Sequence, residues 1–213
     1  MKTKIYNLII LDESGSMQAI RSAAVSGVNE TLQSIRQAQL KHPEQEHFVT
    51  LVTFKGLPAE LSLNTIMDCI PVENAKEIED TDYVPDSCTP LFDAMGFSLN
   101  NLAAVVQRDD KVLVTIITDG YENSSVEWAD ESAIKTLVTL LKNKGWVFAY
   151  IGANQDVHKV ASSMSIKNAC CFTASNIGIG QMVNRLNNAR TAMYDRIAED
   201  TFCADKENEN FFD

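Results

Sequence analysis

Short apolar runs alternate along the chain with longer stretches in which apolar residues recur every third or fourth position. The run IYNLIIL (5–11) is almost unbroken, as in a strand buried on both faces. From 20 to 40 the apolar positions are 20, 24, 28, 31/32 and 35, the spacing of a helix with one buried face. HFVTLVTF (47–54) and ELSLNTIMDCI (60–70) read as strands. The short link KGLPA between them, with Gly56 and Pro58, makes them antiparallel neighbours, because a parallel pair needs a long crossover. Residues 71–88 are polar and irregular and read as a long surface loop, a feature that is uncommon in a compact domain and often functional.

Pro90 suits the first position of a helix, and Leu91, Ala94/Met95, Ser98/Leu99, Leu102 and Val105/Val106 mark its expected buried face. KVLVTIITDG (111–120) is the most apolar strand pattern and belongs at the sheet centre. Ser124 and Glu127 have capping-box spacing and predict a helix running through Leu141, stopped near Gly145. A strand at 146–152, a short helix at 154–164, a last strand at 168–174 and a helix at 177–198 follow. The order β-α-β-β-α-β-α-β-α-β-α predicts an α/β fold: an open, mostly parallel sheet with one antiparallel edge strand and helices on both faces, a Rossmann-like three-layer sandwich. The antiparallel edge strand is expected at 60–70. Residues 1–198 are expected to form a single domain. The segment 199–213, EDTFCADKENENFFD, reads as a solvated or partly disordered acidic tail, with Phe202, Phe211 and Phe212 as its apolar points.

Length agrees with one large domain: 213 residues, 45% hydrophobic and 22% charged. Charge narrows the function. Eighteen basic against 29 acidic residues give a net charge of −11, without a Lys/Arg-rich run, which argues against nucleic-acid and anionic-membrane surfaces. The basic-then-apolar start resembles a secretion signal but breaks at Asp12, and no apolar run reaches the ~18 residues of a membrane helix, so a cytoplasmic location is expected. Five cysteines without CxxC spacing give no disulfide framework or zinc site, and four of them read as small buried hydrophobes. His42, His47 and His158 accompany no nucleophile.

In open α/β sheets ligands bind beyond the carboxyl ends of the strands. The 5–11 strand ends in Asp12-Glu-Ser14-Gly-Ser16, and the 111–118 strand ends in Thr118-Asp119-Gly120. Ser87-Cys-Thr89-Pro90 lies where the long loop enters a helix. If the two strands are adjacent, Asp12 and Asp119 meet at one rim, where two close carboxylates call for a cation or a proton. Asp12, Ser14, Ser16, Thr89 and Asp119 then form an all-oxygen donor set that suits Mg²⁺ or Mn²⁺, with Ca²⁺ as a further hard cation. The pentapeptide alone is equally a turn with a helix cap. Glu13 is expected to face solvent. Glu122 and Asn123 are expected to serve the turn, and Asn154 and Asp156 to cap a helix.

DESGSM, the Thr89-Pro90 step and TDG at 118–120 together resemble the von Willebrand factor type A domain, whose metal-ion-dependent adhesion site (MIDAS) combines Asp-x-Ser-x-Ser with a distant Thr and a distant Asp. The resemblance runs from Ile5 to about Ala198 and includes the element order. It implies that Ser14, Ser16 and Thr89 offer hydroxyls to a metal ion, that Asp12 and Asp119 hold it directly or through water, and that a partner protein's Glu or Asp completes the coordination. For a stand-alone bacterial member it implies a partner such as an AAA+ ATPase or a component of a stress or metal-resistance system. Many relatives have Gly-Gly ahead of the threonine. Here Ser87-Cys88 stands there, so the loop is expected to hold Thr89 less freely or place it differently. The expected function is a metal-dependent protein-interaction module without enzymatic activity. The rival readings are a Mg²⁺-dependent phosphohydrolase using Asp12 and a structural assembly subunit with a vestigial metal site.

Overall fold

The computed structural model describes residues 2–57, 60–153 and 156–212. Six strands form one sheet in the order β3-β2-β1-β4-β5-β6. They are β1 (Thr3–Asp12), β2 (Gln45–Leu57), β3 (Glu60–Pro71), β4 (Lys111–Thr118), β5 (Trp146–Gly152) and β6 (Ala169–Cys171). All neighbours are parallel except β2 and β3, and β3 lies at the edge as its sequence predicts. The helices are α1 (Arg21–Lys41), α2 (Leu91–Ala103), α3 (Glu131–Lys142), α4 (Val157–Ser163), α5 (Asn176–Ala198) and α6 (Ala204–Asn210). The sequence calls for all of these elements except α6.

Alternation along the strands feeds two cores. Ile9, Leu11, Leu51 and Ile151 face α1 and α5, while Leu8, Ile10, Val114 and Phe148 face α2, α3 and α4. Burial on both faces explains why β1 reads as an unbroken apolar run. The chain builds outward from β1 through β2 to β3, then restarts on the other side at β4. The β1/β4 boundary is therefore the topological switch point, where such sheets place ligands. Among the described residues no helix is long and apolar enough to cross a membrane.

Three expectations need correction. The helix predicted from Ser124 begins at Glu131, capped by Asp130, whose carboxylate accepts from Ser132 N at 2.9 Å. The backbone N–H groups of Ser124 and Ser125 are taken instead by Glu122, and those of Val126 and Trp128 by Asp93, so 121–130 stays a loop. Only Cys170 of the five cysteines is buried; Cys88 and Cys171 are exposed, and all are free thiols. Asp156 caps α4 by accepting from Lys159 N, whereas Asn154 and Pro58 lie outside the described residues.

The third correction concerns the acidic tail, which packs on the domain. β6 pairs with β5 only from Tyr150 to Gly152, leaving Trp146 to Phe148 as an open edge. Asn208 fills it: Oδ1 accepts from Phe148 N at 3.1 Å, and Nδ2 donates to Trp146 O at 2.8 Å. Asn168 Nδ2 donates to Phe148 O and to Glu207 O, tying the same edge to α6. The nearly buried Glu207 carboxylate pairs with Arg196 at 2.5 and 2.8 Å, and Phe211 enters the α1/α5 core. These partners lie 11 to 62 residues away in sequence, beyond the reach of local patterns. Phe211→Ala is expected to lower the unfolding free energy in a urea titration by about 3 kcal/mol. A solvated tail would lose under about 0.5 kcal/mol.

Candidate functional site

β1 and β4 end together because their register aligns Leu11 with Ile117. Asp12 therefore sits beside Thr118, whose hydroxyl donates to Asp12 Oδ2 at 2.6 Å. Asp12 Oδ1 accepts from Ser14 N at 2.7 Å. The chain then enters a short 3-10 turn, Gly15–Ile20, anchored by the buried Met17 and Ile20. Ser14 stands at the cap position of that turn, but its hydroxyl makes no capping bond. It lies instead 3.2 Å from Ser16 Oγ, and Ser16 Oγ donates to Asp119 Oδ1 at 2.5 Å. A cap alone does not explain these hydroxyls.

Thr89 reaches the same rim from the start of α2. A methyl group built on Gly120 would stand 3.1 Å from Thr89 Oγ1 and 3.8 Å from Ser16 Oγ, so Gly120 keeps the space between those hydroxyls clear. Thr89 is held by its backbone: its N–H donates to Asn123 Oδ1 at 2.9 Å, and its carbonyl accepts from Asn123 N at 3.2 Å. The structure thus brings together all five predicted residues. Asp12, Ser14, Thr89 and Asp119 are buried and Ser16 is exposed, leaving one open side.

Several contributors escape sequence reading. Glu13 is buried: Lys55 Nζ lies 3.2 Å from its carboxylate, which also accepts from Val84 N at 2.8 Å. Lys55 Nζ donates as well to Val84 O at 2.7 Å. Glu13 thereby clamps the loop that leads to Thr89, and the expectation that it faces solvent is wrong. Tyr83 donates its hydroxyl to Asp12 O from beneath the same loop. Glu122 Oε2 accepts from Phe92 N, so it serves the start of α2 as well as its own turn. An acidic or amide residue two or three places past a TDG step is the signal that marks Glu122 and Asn123. Nothing local marks Glu13 or Tyr83.

Without glycine, Ser87 still adopts a left-handed φ of +65°. Its carbonyl accepts from Gly15 N at 3.1 Å, so the loop makes the turn that glycine would ease and docks on the DESGSM segment.

The electrostatics are those of an unbalanced site. Burial pushes the Asp12 carboxyl up to about 6, opposed by the bonds from Thr118 and Ser14 and reinforced by the Asp119 charge. Burial also raises Asp119, against the stabilising bond from Ser16. Among the described residues no group of three His, Cys, Asp or Glu gathers as a metal site. The donors here are two carboxylates and three hydroxyls, which fit a hard, oxygen-seeking dication better than zinc held by Cys or His.

No protein-family model matches the sequence, and no curated protein matches it. Solved structures do. Proximal thread matrix protein 1 from the mussel byssus aligns with a TM-score of 0.61 at 13% identity, covering 89% of this chain and 47% of that one. A von Willebrand factor type A protein from Catenulispora acidiphila gives 0.55 at 12%, covering 90% and 43%. The SpRpn10 VWA domain gives 0.57 at 13%, covering 84% and 94%. The chain spans about half the length of the first two and nearly all of the third. The fold is that of a von Willebrand factor type A domain.

Two predictions follow from the site's strain and charge. Ser87→Gly is expected to raise stability by about 0.5–1 kcal/mol in a denaturant titration, because glycine takes the left-handed conformation without the Cβ clash. In EDTA, the raised Asp12 favours the folded state while protonated, a contribution complete below the ordinary carboxylate range and lost as pH rises through about 6. Metal-free Asp12→Asn is therefore expected to exceed wild type in stability by about 1–3 kcal/mol near pH ~7.5, the gap closing towards pH ~4.

Proposed function

We propose that this chain is a metal-dependent protein-interaction module in which Asp12, Ser14, Ser16, Thr89 and Asp119 hold a divalent cation that takes an acidic side chain from a partner protein. The observation that carries this reading is the pair of buried carboxylates at the ends of adjacent strands, linked by the Ser14 N–H at Asp12 and by the Ser14 and Ser16 hydroxyls towards Asp119, with Ser14 making no side-chain capping bond. Two aspartates balance a dication and no more. A bound cation would stay electrophilic towards one further carboxylate on the side left open by Ser16. Mg²⁺ or Mn²⁺ suits the oxygen donors best, with Ca²⁺ as an alternative. One structural neighbour, the byssus thread protein, is described with a zinc-occupied MIDAS motif, which supports a divalent ion without fixing its identity.

The net charge of −11 opposes an acidic partner at long range, but screening beyond ~8–10 Å leaves the local ion in control. A cytoplasmic AAA+ ATPase or a component of a stress or metal-resistance system is the kind of partner the resemblance suggests. The neighbours include a pilus adhesin, an interaction protein, and the hydrolase reading finds little support in the site. The residue two places after Asp12 is Ser14, and Lys55, which reaches the motif at Glu13, is engaged by Glu13 and Val84 O.

Calorimetric titration of Mg²⁺ or Mn²⁺ into the wild-type chain is expected to show one site, weakened roughly 100-fold or more in Asp12→Ala. Partner capture from the native cell extract is expected to be lost in EDTA and restored by Mg²⁺. Metal binding unchanged in Asp12→Ala would refute the site. Capture indifferent to EDTA would favour the vestigial-site reading.

A further inference from the structure

The end of the sheet opposite the metal rim carries a groove of about 510 Å³, between the loops that follow α2 and α3. Its apolar lining is supplied chiefly by Val106 from the first loop, Leu141 from the last turn of α3 and Trp146 at the start of β5. Arg108 and Lys144 line it from the two loops, and both are exposed. Among the described residues they are the only charged groups on the lining, and neither side chain makes an ion pair or a hydrogen bond. The chain as a whole has 29 acidic and 18 basic residues, so a concave surface with two unpaired cations and no carboxylate departs from its general balance. Of the acids in the same loop, Asp110 is engaged by the Gln107 N–H at 2.8 Å, and neither it nor Asp109 lines the groove.

Helix carbonyl ends would oppose an anion here, but turns close them. Val105 N and Val106 N donate to Leu102 O, Lys144 N to Leu141 O and Gly145 N to Lys142 O. Trp146 is 3% exposed, and among the described residues its indole N–H has no hydrogen-bond partner. That N–H is not sealed either: the unpaired polar atoms shut off from solvent include Ser98 Oγ and Arg190 Nε but not Trp146 Nε1. The groove's volume falls in the range of ~300–1,000 Å³ that small-molecule sites occupy, and such sites join apolar walls to a few polar groups. Inorganic phosphate would leave the apolar walls uncovered, and a neutral ligand would leave both cations unused. A guanidinium and an ammonium facing one groove suit a carboxylate, and Trp146 suits an apolar body attached to it.

We propose that this groove binds a small organic carboxylate with an apolar body, the anion held by Arg108 and Lys144 and the body lying against Trp146, Leu141 and Val106. The site shares no residue with the metal rim and is independent of the function proposed for that rim.

The test is an NMR titration of the isotope-labelled full chain with naphthoate and with its neutral counterpart naphthamide. EDTA is present throughout, so that no metal ion at the rim takes up the carboxylate. The Trp146 indole N–H resonance reports on the groove. Naphthoate is expected to shift it saturably, and binding is expected to be weaker by roughly 10-fold or more both for naphthamide and in the double variant Arg108→Gln/Lys144→Gln. Both replaced side chains are exposed, so the double variant is expected to keep the wild-type melting temperature. No shift with naphthoate, equal affinity for naphthamide, or unchanged affinity in the double variant would each overturn the proposal.

Discussion

Parallel pairing of β1 with β4 forces two carboxylates to the same rim, and much of the loop architecture answers that constraint. Asp12 is fully buried, and its bonds from Thr118 and Ser14 do not offset the loss of water, as its raised pKa shows. Asp119 adds a second charge within reach of the same serines. A chain selected for stability alone would place Asn or Thr at Asp12.

The surrounding loops hold the hydroxyls in place through side chains that bond to backbone, with no glycine ahead of Thr89. Glu13 and Lys55 grip the backbone of Val84 from both its N–H and its carbonyl. Farther back, Asn29 bonds to both backbone groups of Ile78, and Arg36 bonds to the carbonyls of Val72 and Ala75. On the other side Asn123 brackets the backbone of Thr89, while Glu122 and Asp93 exchange bonds between the start of α2 and the loop after β4. The segment 71–88, polar by composition, is thereby strapped to α1 and β2, with Val72, Ile78 and Tyr83 buried beneath it.

Features legible in the sequence are those written in local periodicity or in strand ends. The strands of the sheet, α1, α2 and α5, the edge position of β3 and the convergence of Asp12 with Asp119 all follow from apolar spacing and open-sheet topology. Features that escape it depend on a side chain meeting backbone far away. Glu13 looks solvated until Lys55, 42 residues on, is brought to it by the β1/β2 pairing. The capping-box spacing at Ser124 and Glu127 fails because Asp93, more than 30 residues earlier, takes two of the amides a helix start would leave free. Composition makes 199–212 look solvated, yet Asn208, Glu207 and Phe211 each have a specific berth.

That berth has a consequence for how the molecule is made. β5 is synthesised with part of its outer edge open, and the amide that closes it, Asn208, lies 62 residues downstream of Trp146. At ribosomal speeds of about 5–20 residues per second, roughly 3–12 s separate the two events, longer than most small domains need to collapse. During that interval the nascent sheet displays bare amides to any neighbouring nascent chain. The acidic residues around Asn208 are made only as that interval closes, so they arrive with the cover and cannot guard the edge before it.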